Sequence, residues 1–590
     1  ERRVSINGRL AAGVTPEQAS AEISAIAKRL QQEHPTTNAG WDARVANTRD
    51  ATAGVNVWTV LALLSLVVAF VLLIACANLA NLMLARSSER AREIAVRTAL
   101  GAGRGAIVRQ LVLESLPLGL IGGALGLALA HGGFTVLRAF TYEDIFDMLG
   151  IDRTVLGFAI AITVLASVAF SLVPAIQASR TDIAELLKSG SGKTTRRSRR
   201  GRNALVVSQV ALAMSLTVVA TLVVRSLAAT GNIDLGFEAR AVFSFRIDAP
   251  TLRYPSDEDL RQLYLKTLTG VTSLRGVQSA GVTSRLPVLD GESSTAVSIE
   301  GRDASRPADQ PWASVSSVNA GFFDATAIPL VGGRNFGSQD QAASPRVAIV
   351  NREMARRHWG SPSAALGKRV VIGSDEAREW VTIVGIAGDT KGPDVTQPTS
   401  PQIYVPIVQR PTRAVAIVVR ADSAAVLQPE VRAVIRQLDA GLAIYDAQTV
   451  QQGLDIERSS EYVLTGMYIA FAAIALSLAA AGLYGVISYS VSQRTREIGI
   501  RLALGATQGE VRRLVLAQGG RLLAVGAVAG ILMGALIAKA MQSLLYSVSP
   551  LDPVSYGTVL GLIAVVMSIA LYAPAKRATS VDPNEALRAE

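Results

Sequence analysis

A glutamate and an arginine one helical turn apart, preceded by a second arginine and closed by Ala-Leu-Gly-Ala, occur twice in this chain of 590 residues. Thr495 to Ala506 reads TREIGIRLALGA and Ala91 to Ala102 reads AREIAVRTALGA, so Arg92, Glu93, Arg97 and Gly101 recur as Arg496, Glu497, Arg501 and Gly505. The offset is constant, 497 − 93 = 404. Glu and Arg at i and i+4 favour a helix by about 0.3–0.5 kcal/mol, and the glycine suits its C-terminal stop. Each copy follows one long apolar segment and precedes another, so the spacing describes a short charged helix held at a membrane surface in two places.

The remaining residues that could do chemistry do not assemble into a catalytic set. SGSGKTT, Ser189 to Thr195, has the ending of a phosphate-binding loop, but Leu187 stands where that motif needs its first glycine and the flanks are polybasic. It reads as a flexible cytoplasmic linker. GAGRG, Gly101 to Gly105, follows a charged helix rather than a strand, so it is no dinucleotide fingerprint. His34, His131 and His358 are scattered and the single cysteine, Cys76, lies inside an apolar block, which leaves no metal-ligand spacing and no disulfide framework. The segment between the apolar blocks contains no nucleophile elbow. No catalytic residue, metal or cofactor is therefore expected.

Half of the residues are hydrophobic and the mean hydropathy is +0.34, with the apolar residues in uninterrupted blocks. An α-helical membrane protein follows. Seven spans are expected, at 57–84, 106–130, 153–176, 204–224, 463–487, 516–541 and 554–573. Glu1 is not a start methionine, and an eighth span is expected ahead of it in a longer protein. The net charge of +11 would suit a nucleic-acid binder, but the excess sits beside apolar segments, where Lys and Arg set topology instead. Loops 86–109, 180–202 and 494–513 and the tail after Pro574 carry dense Lys and Arg and are assigned to the cytoplasm. Residues 1–54 and 228–459 then fall on the outer side. The longer of these must be a folded domain, and its alternating strand and helix patterns indicate a mixed α+β fold. Residues 1–54, with a helix capped by Thr15, have the layout of that domain's end. Asn78 and Asn81, one turn apart in the first span, are expected to hydrogen-bond to a neighbouring helix.

The duplication extends beyond the charged motif. Gly122 and Gly126 recur as Gly526 and Gly530 at the same offset, and Gly534 continues the series. Glycines four apart in a span allow another helix to approach closely. PAIQASRTDIAELLK from Pro174 and PAKRATSVDPNEALR from Pro574 also correspond, at an offset of 400. Two repeats running in the same direction account for the chain.

The motif REIGIRLALGA after a span, the ending from Ser549 to Glu590, and the phrases NAGFFDATAIPLVGGRNF and VAIVNREMARRHWG resemble the FtsX/MacB-like ABC transporter permeases. The doubled layout further resembles the subgroup called acidobacterial duplicated orphan permeases. The first copy departs from the pattern at DIAELLK, which lacks the closing proline and arginine.

The resemblance implies a domain plan. Residues 1–54 would end a first periplasmic domain, and 55–188 would form the first FtsX-like transmembrane domain of three spans. A basic cytoplasmic linker, 189–202, would lead to the second repeat's first span at 203–227. A MacB-like periplasmic core domain at 228–459 and a second three-span domain at 460–590 would follow. It implies mechanotransmission, in which a separate cytoplasmic ABC ATPase uses ATP and moves spans and outer domains through coupling helices. Those helices would be at Arg92, Glu93, Arg97 and Gly101 and at Arg496, Glu497, Arg501 and Gly505. The setting would be the bacterial inner membrane, among lipids, with a periplasmic adaptor or outer-membrane partner and no nucleic acid. Export or efflux is the leading function. Signalling to an outer-face partner by the same machinery is the alternative. An ion-coupled carrier ranks below both, since the span centres lack acidic residues.

Overall fold

The computed structural model describes residues 8–11, 13–34, 45, 56–89, 103–140, 152–179, 196–231, 233–291, 294–301, 311–373, 380–504 and 506–579. Two compact units emerge, one of residues 1–54 and 232–458, the other of 55–231 and 459–590. Helix α1 (Pro16–Glu33) belongs to the first. Thr15 caps it as its sequence requires, accepting from the Gln18 amide at 3.3 Å while Gln18 Oε1 accepts from the Thr15 amide at 3.0 Å. Four long helices follow in the second unit, α2 (Asn56–Glu89), α3 (Arg104–Phe140), α4 (Arg153–Ser179) and α5 (Arg196–Gly231).

The segment after α5 folds around an eleven-stranded sheet. In chain order the strands are β1 (Val242–Asp248), β2 (Val277–Thr283), β3 (Ser294–Ile299), β4 (Trp312–Val318), β5 (Leu330–Gly333), β6 (Val347–Asn351), β7 (Arg369–Ile372), β8 (Trp380–Ala387), β9 (Gln402–Pro406), β10 (Ala414–Ala421) and β11 (Ile444–Thr449). The helices of six residues or more are α6 (Asp257–Thr272), α7 (Gly321–Thr326), α8 (Arg352–Trp359), α9 (Gln428–Leu438) and α10 (Val450–Glu457). Strands β11, β1, β10 and β2 pair antiparallel in that order.

Strict alternation buries both faces of this sheet. Phe243, Phe245 and Ile247 of β1 with Val415, Ile417 and Val419 of β10 meet Leu260, Leu263 and Tyr264 of α6 and Val431 and Ile435 of α9. Val242, Ala416 and Val418 face the other way, toward Phe322 and Phe323 of α7. α7 lies so close to β2 that a Cβ at Gly281 would meet the Phe322 backbone, so only glycine fits there. Strands β4, β3, β7, β8, β6 and β9 form a closed circuit, because β9 returns to pair in parallel with β4. Closure removes the exposed edges such a set would otherwise have. The stretch from Ala424 to Leu438 is helical in two parts, a 3-10 turn at Ala424–Val426 and then α9, whose first turn holds Pro429.

The second unit is completed by α11 (Ser459–Ser492), α12 (Thr495–Ala503), α13 (Gln508–Ala540) and α14 (Pro553–Thr579). Among the described residues six helices are long and apolar enough to cross a membrane, within α2, α3, α5, α11, α13 and α14. The expected span at 153–176 falls on α4, whose described apolar stretch, Arg153–Val168, is shorter. Leu125, Leu129, Leu532, Leu536 and Ile569 are all more than half exposed, the surface a lipid phase would cover.

α5 is the centre of this unit, packed by α2, α11, α13 and α14. Cβ atoms at Gly526, Gly530 and Gly534 of α13 would meet Val210, Met214 and Val218 of α5 in turn. Both helices advance four residues per contact, so they run parallel at close range.

Candidate functional site

The second charged motif folds as the short helix α12 between α11 and α13. Its start is forced by the end of α11, where Gln493 and Arg494 donate their amides to Tyr489 and Val491 and the Thr495 hydroxyl donates to the Ser492 carbonyl at 2.8 Å. Its end is marked by Ala506, whose amide reaches back to Arg501 at 2.9 Å. Thr507 then opens α13 through a capping box with Glu510.

One face of α12, with Ile498 and Leu502, packs into the membrane unit's apolar core. The other face presents Glu497, Ile500, Arg501 and Leu504. Leu504 is 82% exposed, Ile500 42%, and Arg501 Nη2 holds Glu497 Oε1 at 2.7 Å with both side chains about half exposed. An exposed pair of this kind adds only ~0.3–0.5 kcal/mol to the helix. Two apolar side chains left open beside two opposite charges suit docking of a protein surface better than stability.

Arg496 lies within the same helix. Gly505 falls outside the described residues, as do Arg92, Glu93, Arg97 and Gly101 of the first copy. The linker motif Ser189 to Thr195 and half of residues 1–54 also fall outside them.

The end of α11 that leads into α12 is tied to the central helix. The Arg202 guanidinium, near the start of α5, stacks over the Tyr489 ring at 4.5 Å, and the Tyr489 hydroxyl accepts from Gln493 Nε2 at 2.5 Å. At the far end of α5, Ser226 Oγ accepts from the Tyr546 amide at 2.9 Å, and Arg225 pairs with Asp552. Asp552 also caps α14 by accepting from the Ser555 amide at 2.8 Å and its hydroxyl at 2.6 Å. Those Ser555 bonds first, and Arg225 after them, hold the Asp552 carboxyl below its ordinary range. Helix α5 is thus gripped at both ends, and from its second end the chain continues into the sheet unit at β1.

The packing glycines divide. Gly526 and Gly530 are enclosed, with the Met214 side chain and the Ala211 carbonyl within 2.5–2.7 Å of a Cβ placed at Gly530. Gly122 and Gly126 of α3 are exposed, with nothing within 4 Å of the added carbon. The expectation that these two carry close packing is corrected. α3 approaches α4 instead through Gly119, against Ser167, and Gly123, against Thr163.

Asn78 does reach a neighbouring helix, donating Nδ2 to the Leu478 carbonyl of α11 at 2.7 Å. Asn81 is buried and its amide has no partner among the described residues. The core amide Gln209 of α5, which sequence reasoning passed over, donates Nε2 to Asn78 Oδ1 at 3.1 Å. Its position near the middle of an apolar helix was the available signal.

A model of the FtsX-like permease C-terminal family matches this chain twice, at residues 65–183 and 469–583. The matches start 404 residues apart (469 − 65) and end 400 apart (583 − 183), the two offsets read from the motifs. A model of the MacB-like periplasmic core domain matches residues 154–438. Among curated proteins, the chain is similar to the pyoverdine export ATP-binding/permease protein PvdT of Pseudomonas entomophila, 27% identical over 272 residues, which is 44% of this chain and 41% of that protein. It is also similar to the macrolide export ATP-binding/permease protein MacB of Hahella chejuensis, 26% identical over 288 residues, 47% of this chain and 43% of that one. The matched part thus spans about two fifths of the length of these relatives. Among solved structures, the periplasmic region of MacB from Actinobacillus actinomycetemcomitans aligns with 37% of this chain and 92% of its own at 13% identity, with a TM-score of 0.25.

Proposed function

Because the chain belongs to the FtsX/MacB-like permease family, as a multi-pass membrane protein with a MacB-like periplasmic core domain, we propose that it is the transmembrane subunit of an ATP-powered export machine. The curated relatives are named as fused ATP-binding/permease proteins for export. In this chain the ATPase is a separate cytoplasmic subunit. The observation that carries the reading is the open face of α12, with Glu497, Ile500, Arg501 and Leu504 at the end of the bundle away from the passage into the sheet unit. The first copy of the motif has Glu93, Val96, Arg97 and Leu100 at the matching sequence positions.

The mechanism is mechanical. When the ATPase subunits close on ATP, each coupling helix is displaced along the membrane face. At α12 the displacement reaches α5 by two routes, the Arg202–Tyr489 stack and the parallel α5–α13 seam of Gly526, Gly530 and Gly534. α5 runs on into β1, so the outer domain receives the motion and acts on exported cargo or on a periplasmic or outer-membrane partner. Seven spans in two parallel repeats, in the inner membrane, complete the reading.

Glu93→Gln with Glu497→Gln tests it. The doubly substituted chain should lose about tenfold in affinity for the co-purifying ATPase, or ~1.4 kcal/mol, and Leu504→Asp should do the same from the apolar side. Unchanged ATPase recovery in both variants would defeat the assignment. A cysteine at Ser316 of β4 should react with an impermeant thiol reagent from outside the cell; labelling from the cytoplasm alone would reverse the topology.

A further inference from the structure

A cavity of about 560 Å³ opens in the sheet unit where the carboxyl ends of the parallel strands β6 and β8 meet the start of β5. Two cations, Arg352 and Lys391, and three carboxylates, Asp234, Glu238 and Asp389, line it. Its backbone walls are fixed. Gly236, at φ +78°, lies so close to the Asp389 carbonyl that no side chain fits. The Lys391 amide donates to the Leu235 carbonyl at 3.0 Å and the Glu238 amide to the Thr326 carbonyl at 2.9 Å. Each carboxylate serves one neighbouring amide: Asp234 accepts from Gly236 at 2.9 Å, Glu238 from Arg240 at 3.3 Å and Asp389 from Glu353 at 2.8 Å. That leaves most of their acceptor capacity unused, since an ionised carboxylate has about four acceptor sites. Among the described residues none of these five charges forms an ion pair with another, although both signs line one space. Opposite charges held apart by a fixed backbone suit a guest that carries both signs.

We propose that this cavity binds the phosphoethanolamine group of a membrane lipid, its phosphate on Arg352 and Lys391 and its ammonium among Asp234, Glu238 and Asp389. The inference goes beyond the export reading and needs from it only that α5 crosses the membrane. A free anion would face three carboxylates and a free cation two bases, so neither suits the lining as a zwitterion does. A guanidinium and an ammonium together are the usual partners of a phosphate. The primary ammonium of ethanolamine can donate to the carboxylates, which the quaternary nitrogen of choline cannot. The lipid source follows from the chain itself. The apolar span in α5 runs to Gly231, and Asp234 comes three residues later, at most about 10 Å of extended backbone. Headgroups fill the first ~5–7 Å beyond the hydrocarbon. A headgroup held in the cavity ties the segment that carries Asp234 and Glu238 to the start of α8 and the loop after β8.

The test places the full chain in lipid nanodiscs of phosphatidylglycerol alone, or with phosphatidylethanolamine or phosphatidylcholine added, and follows hydrogen exchange at the amides of Gly236, Glu238 and Lys391. Phosphatidylethanolamine at ten times its dissociation constant should slow exchange about tenfold, and the other two lipids should not. Arg352→Glu should abolish the slowing; Arg352 is exposed, so the reversal disturbs no buried contact. Glycerophosphoethanolamine, added to the chain in detergent, presents the same group without a bilayer. Slowing by the soluble compound but not by the discs would overturn the lipid source, and equal slowing by phosphatidylglycerol or phosphatidylcholine would overturn the zwitterion. No slowing in any disc, or slowing that survives Arg352→Glu, would overturn the site. The comparison among lipids uses the unsubstituted chain, so it holds however the variant folds. ATPase recovery plays no part in the readout, so the coupling assignment and the lipid site can each fail without the other.

Discussion

Helices α3 and α13 carry glycines at positions 404 apart and use them differently. In α13 the stripe Gly526, Gly530, Gly534 lies against Val210, Met214 and Val218 of α5. In α3 the matching Gly122 and Gly126 are exposed, and the helix packs on α4 through glycines three residues earlier. The difference lies in the partner. What covers the α13 stripe is α5, the helix that enters the sheet unit, and none of the described residues covers the matching face of α3. A glycine stripe is therefore a capacity for close approach, and the helix presented to it decides whether that capacity is used.

Substitution in the two stripes should break the comparison most visibly. Gly530→Leu should destabilise the protein by ~1–3 kcal/mol through overpacking against Met214, read as a fall in detergent melting temperature. Gly126→Leu should stay within about 0.5 kcal/mol of the parent. Equal losses would mean that α3 has a close partner at that face. The coupling motifs come next: Glu93→Gln and Glu497→Gln made singly should each give part of the tenfold loss of ATPase affinity, and an asymmetric result would show that one copy dominates.

The N-terminal ends of α4 and α14 give a smaller contrast. Asp152 and Asp552 are 400 apart and both cap their helix, Asp152 by accepting from the Val155 amide at 2.7 Å. Only Asp552 also pairs with Arg225. Asp152→Ala should lose a cap, ~1 kcal/mol, and Asp552→Ala about twice that, both followed by unfolding in denaturant.

The smallest effect concerns the sheet unit. Asp340 is buried, accepts two bonds from Arg334 at 2.6 and 2.9 Å, and is held below its usual carboxylate range mainly by that guanidinium. A carboxyl lowered on folding adds stability that is complete above its unfolded value near 3.8 and is lost as pH falls through the folded value. Hydrogen exchange around Gly337 should therefore quicken below about pH 4, and Asp340→Asn should flatten that dependence.

Much of this was legible in the residues because the signals are local. Charged helix α12, the capped helix α1 and the strand-helix-strand run from Val242 to Thr283 each lie within one window of sequence. The closed circuit of strands was not legible, since it depends on β9 returning to β4 across more than eighty residues, and no local pattern encodes a parallel pairing at that distance. The glycine stripe of α3 was misread for a related reason: spacing identifies a face, and only tertiary packing says what meets it.

Strand β1, which continues from α5, and strand β11, which leads through α10 to α11, are hydrogen-bonded neighbours, with Phe243 opposite Thr449 at the end where the chain enters and leaves. On the other side of the junction α5 and α11 pack together as well. Within the sheet unit the β1–β11 pair behaves differently under two kinds of load. Prying the two strands apart would peel their ladder rung by rung, which takes little force, whereas a pull shared by both is borne by the whole ladder at once.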